Sequence, residues 1–193
     1  MDFIYSEDNS KNTTISSATG QPVYEVSTQE DTSSSEPTVI KKFQNPRDPP
    51  VDIGQVKMRS FHSDVCELLG RDIRPRKGDL WSSSRSFTSL VNGQEYTWDQ
   101  EDSKATLTDE FENTVAIYEG RRSEAPVKLS VTLEGMSILD EIVVTCIYHE
   151  QQCEEDAENE KVMLDVAKGV GKEMGKVVGK ELFKVIVAAA ESG

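Results

Sequence analysis

The chain has no run of about 18 apolar residues anywhere in its 193 positions, so no transmembrane helix is expected. It opens Met1-Asp2-Phe3-Ile4-Tyr5, with neither a basic end nor a long apolar stretch, so no secretory signal is expected. Basic residues are scarce: Lys and Arg total 21 against 35 Asp and Glu, a net charge of −14. That balance argues against a protein that grips nucleic acid with its whole surface. Cysteines number only three. An odd count without a secretory signal fits free thiols in the cytoplasm and leaves the sequon Asn12-Thr13-Thr14 without meaning. No G-x-S-x-G elbow occurs, and Gly169-Val170-Gly171 before Lys172 lacks both the spacing and the preceding strand of a phosphate loop. What is present is an apolar fraction of 36%, below the globular average but above that of a disordered chain. The length suits one domain with an appendage.

The charge is unevenly spread. Residues 161–193 carry six Lys and four acids, a net of +2, which leaves −16 for residues 1–160. Between them lies the acidic run Glu154-Glu155-Asp156-Ala157-Glu158-Asn159-Glu160, read as a solvated joint. The expected division is therefore a body over 1–153, with the acidic joint and a C-terminal helix over 154–193.

The body reads as short strands separated by turn signals. The expected strands are Asp2–Tyr5, Thr13–Ser17, Val23–Thr28, Thr38–Phe43, Ile53–Ser60 and Val65–Leu69. Residues 29–37 are polar and Ser-rich, and 44–50 hold three prolines, so both are loops. Arg71–Gly78 is basic and turn-like. Ser86–Leu90 leads into Asn92-Gly93, a two-residue hairpin signal. Beyond it, Tyr96 with Trp98, Ala105 with Leu107, and Val115 with Ile117 are each expected to share a face. Val127–Leu133 alternates four apolar residues strictly. About a dozen strands at this spacing indicate a sandwich or barrel, and no helical segment separates them as a parallel α/β fold would require.

Residues 137–152 differ. Ile138, Leu139, Ile142, Val143, Val144, Cys146 and Ile147 are apolar on every side of a helix. β-Branching favours a strand, while length and the start Ser137-x-x-Asp140, with Ser as cap, favour a helix. A helix apolar all round has to be buried, which suggests one threaded through a barrel.

Four motifs then carry a resemblance. Asn12-Thr13-Thr14-Ile15 with Gly20-Gln21-Pro22-Val23-Tyr24-Glu25-Val26-Ser27-Thr28, Phe87-Thr88 with Gly93-Gln94-Glu95-Tyr96-Thr97-Trp98, Val115-Ala116-Ile117-Tyr118, and Leu139-Asp140-Glu141-Ile142-Val143-Val144-Thr145 appear in that order. Over about residues 2–150 the chain resembles an uncharacterised domain common in basidiomycete fungi. That domain is similar in layout to tubby C-terminal and LURP-one-related domains. The resemblance implies a mainly β fold, a closed antiparallel barrel of about twelve strands around one hydrophobic helix. It supplies no catalytic residues, and the tail lies outside it.

Read as a helix, the tail places Lys168, Lys172, Lys176, Lys180 and Lys184 round one side and Val170, Met174, Val177, Val178, Leu182, Val185 and Ala189 opposite. Gly171, Gly175 and Gly179 form a ridge suited to close helix approach. Packing on the body, self-association and contact with an anionic membrane all remain open.

Candidate chemistry is thin. Cys146, His149 and Cys153 could share a helix face, but the spacing is loose for zinc, and the simpler reading is a core Cys with an exposed His and Cys at the helix end. Asp140 and Glu141 point about 100° apart on a helix, which suits a helix start better than an acid–base pair. Ser82-Ser83-Ser84 lies in a polar loop. The best anion patch on the body is Arg71, Arg74, Arg76 and Lys77 around Pro75; tubby domains bind phosphoinositides through barrel cations, an analogy at fold level. The expectation is a cytoplasmic binding or adaptor module, with no cofactor and no metal. Its partner would be a protein or an anionic lipid surface, met through residues 71–77 or the tail lysines. The alternatives are a homo-oligomer built on the glycine ridge and a lipid-handling or hydrolytic enzyme.

Overall fold

The computed structural model describes all residues except 29–35, 46, 60–62, 79–83, 121–125, 159–160 and 162–193. The chain divides into two compact units, Met1–Gln152 and Cys153–Gly193. The fold described below is that of the first.

Thirteen strands make one antiparallel sheet: β1 (Asp2–Tyr5), β2 (Thr13–Ser17), β3 (Pro22–Thr28), β4 (Thr38–Lys42), β5 (Val51–Lys57), β6 (Val65–Leu68), β7 (Arg71–Asp72), β8 (Arg76–Lys77), β9 (Arg85–Thr88), β10 (Glu95–Glu101), β11 (Lys104–Asp109), β12 (Thr114–Glu119) and β13 (Lys128–Val131). Their order is β7-β6-β5-β4-β3-β2-β1-β13-β12-β11-β10-β9-β8. β7 and β8 are the two edges, and no ladder joins them.

A 3₁₀ turn, Gly135–Ile138, leads into helix α1, which begins at 139 and is described as far as 158. Its β-branched residues are poor helix formers, at a cost of up to about 0.7 kcal/mol each. Burial outweighs this. Ile142, Val143, Val144 and Ile147 are all buried, and each contributes about 1.5–3 kcal/mol. The sheet meets α1 from several strands. Tyr5 of β1 reaches Cys146, Tyr24 of β3 and Lys42 of β4 reach Asp140, Gly54 of β5 abuts Val144, and Trp98 of β10 bonds Thr145. The expected helix among strands is thus found, with its apolar sides covered.

Several local expectations change. The β9–β10 connection closes with Ser89 N–H donating to the Gln94 carbonyl at 2.8 Å and Gly93 N–H to the Ser89 carbonyl at 3.0 Å, a four-residue loop rather than a two-residue one. Val115 and Ile117 do not share a face. The β11–β12 register slips between Leu107 and Thr108, which pair with Ala116 and Thr114. Val115 is the extra residue of a bulge, so Ala116 and Tyr118 point inward after it while Ile117 turns out. Val127, Leu129 and Val131 are buried as their alternation demands, but β13 ends at Val131 and Leu133 lies 85% exposed in the following turn. Ser137 caps nothing. It sits inside the 3₁₀ turn and donates to the Glu134 carbonyl at 2.9 Å.

Candidate functional site

The site begins with a tight reversal. Leu69 (φ 49°) and Gly70 (φ 75°) both take left-handed backbone, the conformation that turns one strand directly into the next. β7 therefore runs back along β6, with Leu68 opposite Arg71 and Glu67 opposite Asp72. Ile73 then turns inward and is buried, its N–H donating to the Cys66 carbonyl at 2.9 Å. Pro75, with no N–H, cannot continue a ladder. Beyond it β8 pairs on its other side, Arg76 with Ser86 and Lys77 with Arg85 of β9.

Every neighbouring pair in the sheet is antiparallel, and twelve steps separate β7 from β8. The two edges therefore run in the same direction, three residues apart in the chain. Residues 71–77 act as one descending segment. Its upper part is bonded to β6 and its lower part to β9.

Where the segment changes partner, a cleft of about 420 Å³ opens. Arg74, Arg76 and Lys77 supply its cations, Asp72 and Glu95 its carboxylates, and Ile73 and Phe87 its apolar atoms. Asp72 organises the cations. Its Oδ1 accepts the Arg74 N–H at 2.9 Å, and its Oδ2 lies 3.4 Å from Arg76 and 3.9 Å from Arg74. Arg74 also donates to the Asp64 carbonyl at 2.7 Å. Arg71 belongs to β7 and does not line the cleft, so three of the four expected cations are brought together.

The β9 wall, Ser86 to Thr88 with Glu95 opposite Thr88, is the part that sequence reading missed. The visible clue was Pro75, which marks where the partner of β9 must stop. Ladder alternation adds a detail. Ser89 exchanges bonds with the β10 side, so Thr88, one residue earlier, turns its N–H and C=O the opposite way, towards the cleft. No backbone partner meets them there among the described residues.

A second cleft of about 360 Å³, lined by Asp52, Gln55, Glu67 and Leu69 among others, carries carboxylates and no cation.

The remaining candidates are dispersed. His149 is 1% exposed, not surface-facing as expected. It stacks on Trp98 with ring centroids 5.9 Å apart and shares a 3.1 Å hydrogen bond with Gln100. Cys146 lies under Tyr5, and no cluster of metal-binding side chains forms among the described residues. Asp140 accepts from Tyr24 at 2.5 Å and pairs with Lys42 at 2.7 Å. Glu141, buried, accepts the Leu90 N–H at 2.7 Å. Asp140 thus serves β3 and β4, and Glu141 the loop after β9. Ser84 donates to Asp99, and Ser82 and Ser83 lie outside the described residues. Burial, with Asp72 next, pushes the Cys66 thiol beside the cleft well above its ordinary range, so it is not a thiolate. The lysines at 168, 172, 176, 180 and 184 and the glycines at 171, 175 and 179 lie outside the described residues. No helix among the described residues is long and apolar enough to cross a membrane.

The arrangement defines a meandering antiparallel sheet that, among the described residues, carries one helix in its core and a cleft lined by three cations beside its two edge strands. The chain belongs to a family of unknown function (DUF6593), whose model matches residues 8–155. Comparison with curated proteins and with solved structures finds no match.

Proposed function

We propose that this protein is a binding or adaptor module, without catalytic activity, that holds an anionic ligand in the cleft beside residues 71–77. The observation that carries the reading is the convergence of Arg74, Arg76 and Lys77 on one concavity of about 420 Å³. The filled interior supports it as well. Trp98, Tyr24, Phe3 and the α1 side chains occupy the space that a substrate would need.

In this reading the sheet closes as a tubby-like or LURP-one-like barrel. Residues 71–77 count as one strand, which brings thirteen to twelve. Support comes from the shared direction of β7 and β8 and from the Arg76–Asp72 pair between them. The same resemblance implies a fungal source. The absence of a disulfide among the three cysteines fits a cytoplasmic protein.

The ligand's anionic group belongs to a membrane headgroup or to a protein. Flotation with vesicles with and without phosphoinositides, and binding of an acidic peptide, test this at low and high salt. Salt-sensitive binding to either, lost in the Arg74→Glu/Arg76→Glu/Lys77→Glu variant, is expected. Absence of binding to both refutes the reading.

A further inference from the structure

We infer that the ligand of this cleft is an extended acidic segment of a partner protein, added as a strand beside the end of β9 at Thr88. The inference rests on the cleft being the binding site and specifies what enters it.

Three observations favour a peptide over a lipid headgroup. The first is the open backbone. β8 starts at Arg76, opposite Ser86, and Pro75 before it cannot extend the ladder, so the N–H and C=O of Thr88 face the cleft with no backbone partner among the described residues. A headgroup could use the donor alone. A strand uses both groups, and main-chain pairing of this kind underlies peptide recognition at sheet edges. The second is mixed polarity. Ile73 and Phe87 present apolar atoms beside the three cations. Side chains of a strand alternate between faces; Arg76 lies opposite Ser86, on the face away from the buried Phe87, so an acidic–apolar alternation places carboxylates towards Arg76 and apolar groups towards Ile73 and Phe87. The third is the charge balance. Asp72 and Glu95 stand among the cations, which leaves the described lining residues at one net positive charge. A polyphosphate would concentrate several negative charges in a lining that already holds both carboxylates. Peptide carboxylates on one face of a strand are two residues, about 6.6 Å, apart, so a peptide spreads its charge along the cleft.

The experiment uses the full chain and a fluorescent eight-residue Glu-Val repeat, with binding read by anisotropy. Two further peptides carry N-methyl groups on either all the Glu or all the Val amides. An added strand points alternate amides at its neighbour. One methylated peptide should therefore weaken by about tenfold or more, and the other should bind as the parent does. Thr88→Pro, which removes a donor aimed at the cleft, should weaken the parent peptide about tenfold. Arg76→Glu should do the same, with binding falling as salt rises. The methylated series needs no variant and stands even if Thr88→Pro folds poorly. Equal binding of both methylated peptides would overturn strand addition. So would failure of the parent peptide to bind: if phosphoinositide vesicles still bind through the same cations, the cleft survives as an anion site without the strand, and if they do not, both readings fall.

Discussion

The indole N–H of Trp98 donates to the hydroxyl of Thr145 at 3.0 Å, and both side chains are buried. The Thr145 hydroxyl donates in turn to the Glu141 carbonyl, 2.7 Å away and one turn back along α1. The bond ties the middle of β10 to the helix that fills the sheet. Thr145→Val keeps the shape but leaves the indole donor without its acceptor, at a cost of about 1–3 kcal/mol. Thr145→Ser keeps the acceptor and should lose less. Urea unfolding of the two variants checks the ranking; equal losses would mean that packing rather than the hydrogen bond dominates.

Gly54 is fixed by closeness rather than by conformation. A Cβ there would stand 2.8 Å from Val144 Cγ2 and 2.8 Å from the Glu67 carbonyl oxygen. Gly54→Ala should destabilise by about 1–3 kcal/mol. Adding Val144→Ala removes one of the two clashes, so the double variant should lose less than the sum of the singles. Strict additivity would show that β5 and α1 are not in the contact described.

Buried phenols make the fold sensitive to alkali. Burial is the leading cause that raises Tyr5, Tyr24, Tyr118 and Tyr148 above the ordinary phenol range, followed respectively by Cys146, Asp140, Glu150 and Asp64. In the unfolded chain these groups ionise near pH 10. Their contribution is whole below that pH and is lost as pH rises above it, because only the unfolded state then releases protons. The slope is at most about 1.4 kcal/mol per pH unit for each, or roughly 5 for the four. Denaturant midpoints at about pH 8, about pH 10 and about pH 11 should fall in that order, with tyrosinate absorbance from these residues appearing only on unfolding.

Arg74 and Arg76 should separate stability from binding. The Arg76 side chain is 71% exposed and its pair with Asp72 is loose at 3.4 Å, worth at most about 1 kcal/mol. Arg76→Glu should therefore unfold almost as the parent does while anion binding falls about tenfold. Arg74 is better covered and holds the Asp64 carbonyl, so Arg74→Ala should cost about 1–3 kcal/mol as well. Calorimetry beside a binding titration checks both. A stable Arg74→Ala would contradict its structural share.

Much of the architecture was legible in the residues. Strict alternation placed Tyr96, Trp98, Ala105, Leu107, Leu129 and Val131 inward, and all are buried. Apolar character on every side of 138–147 correctly implied an enclosed helix. Alternation failed where one residue changed the count: Val115 bulges out of register, and no local signal marks that slip. Leu133 continued the pattern of β13 but lies past the last paired residue, because strand length is set by the partner β12 and not by β13 alone. His149 was misplaced because a polar residue near a helix end looks exposed until Trp98 and Gln100 are known to sit over it. The basic cluster was visible as Arg71, Arg74, Arg76 and Lys77. Its opposite wall was not, since β9 reaches it only through the way 71–77 changes partner.

Every ladder among the described residues joins strands consecutive in the chain, except that of β1 with β13. There Asp2 meets Ser130, 128 positions later, where the serine hydroxyl donates to the carboxylate at 2.9 Å. Closing so long a loop costs about 2 kcal/mol more than closing an eight-residue one. The delay also has a biosynthetic side. At roughly 5–20 residues per second, β1 leaves the ribosome on the order of ten seconds before its neighbour exists. Through that interval β2 is its sole ladder partner, and its other edge stays open to any strand nearby, including one from the chain being made next to it.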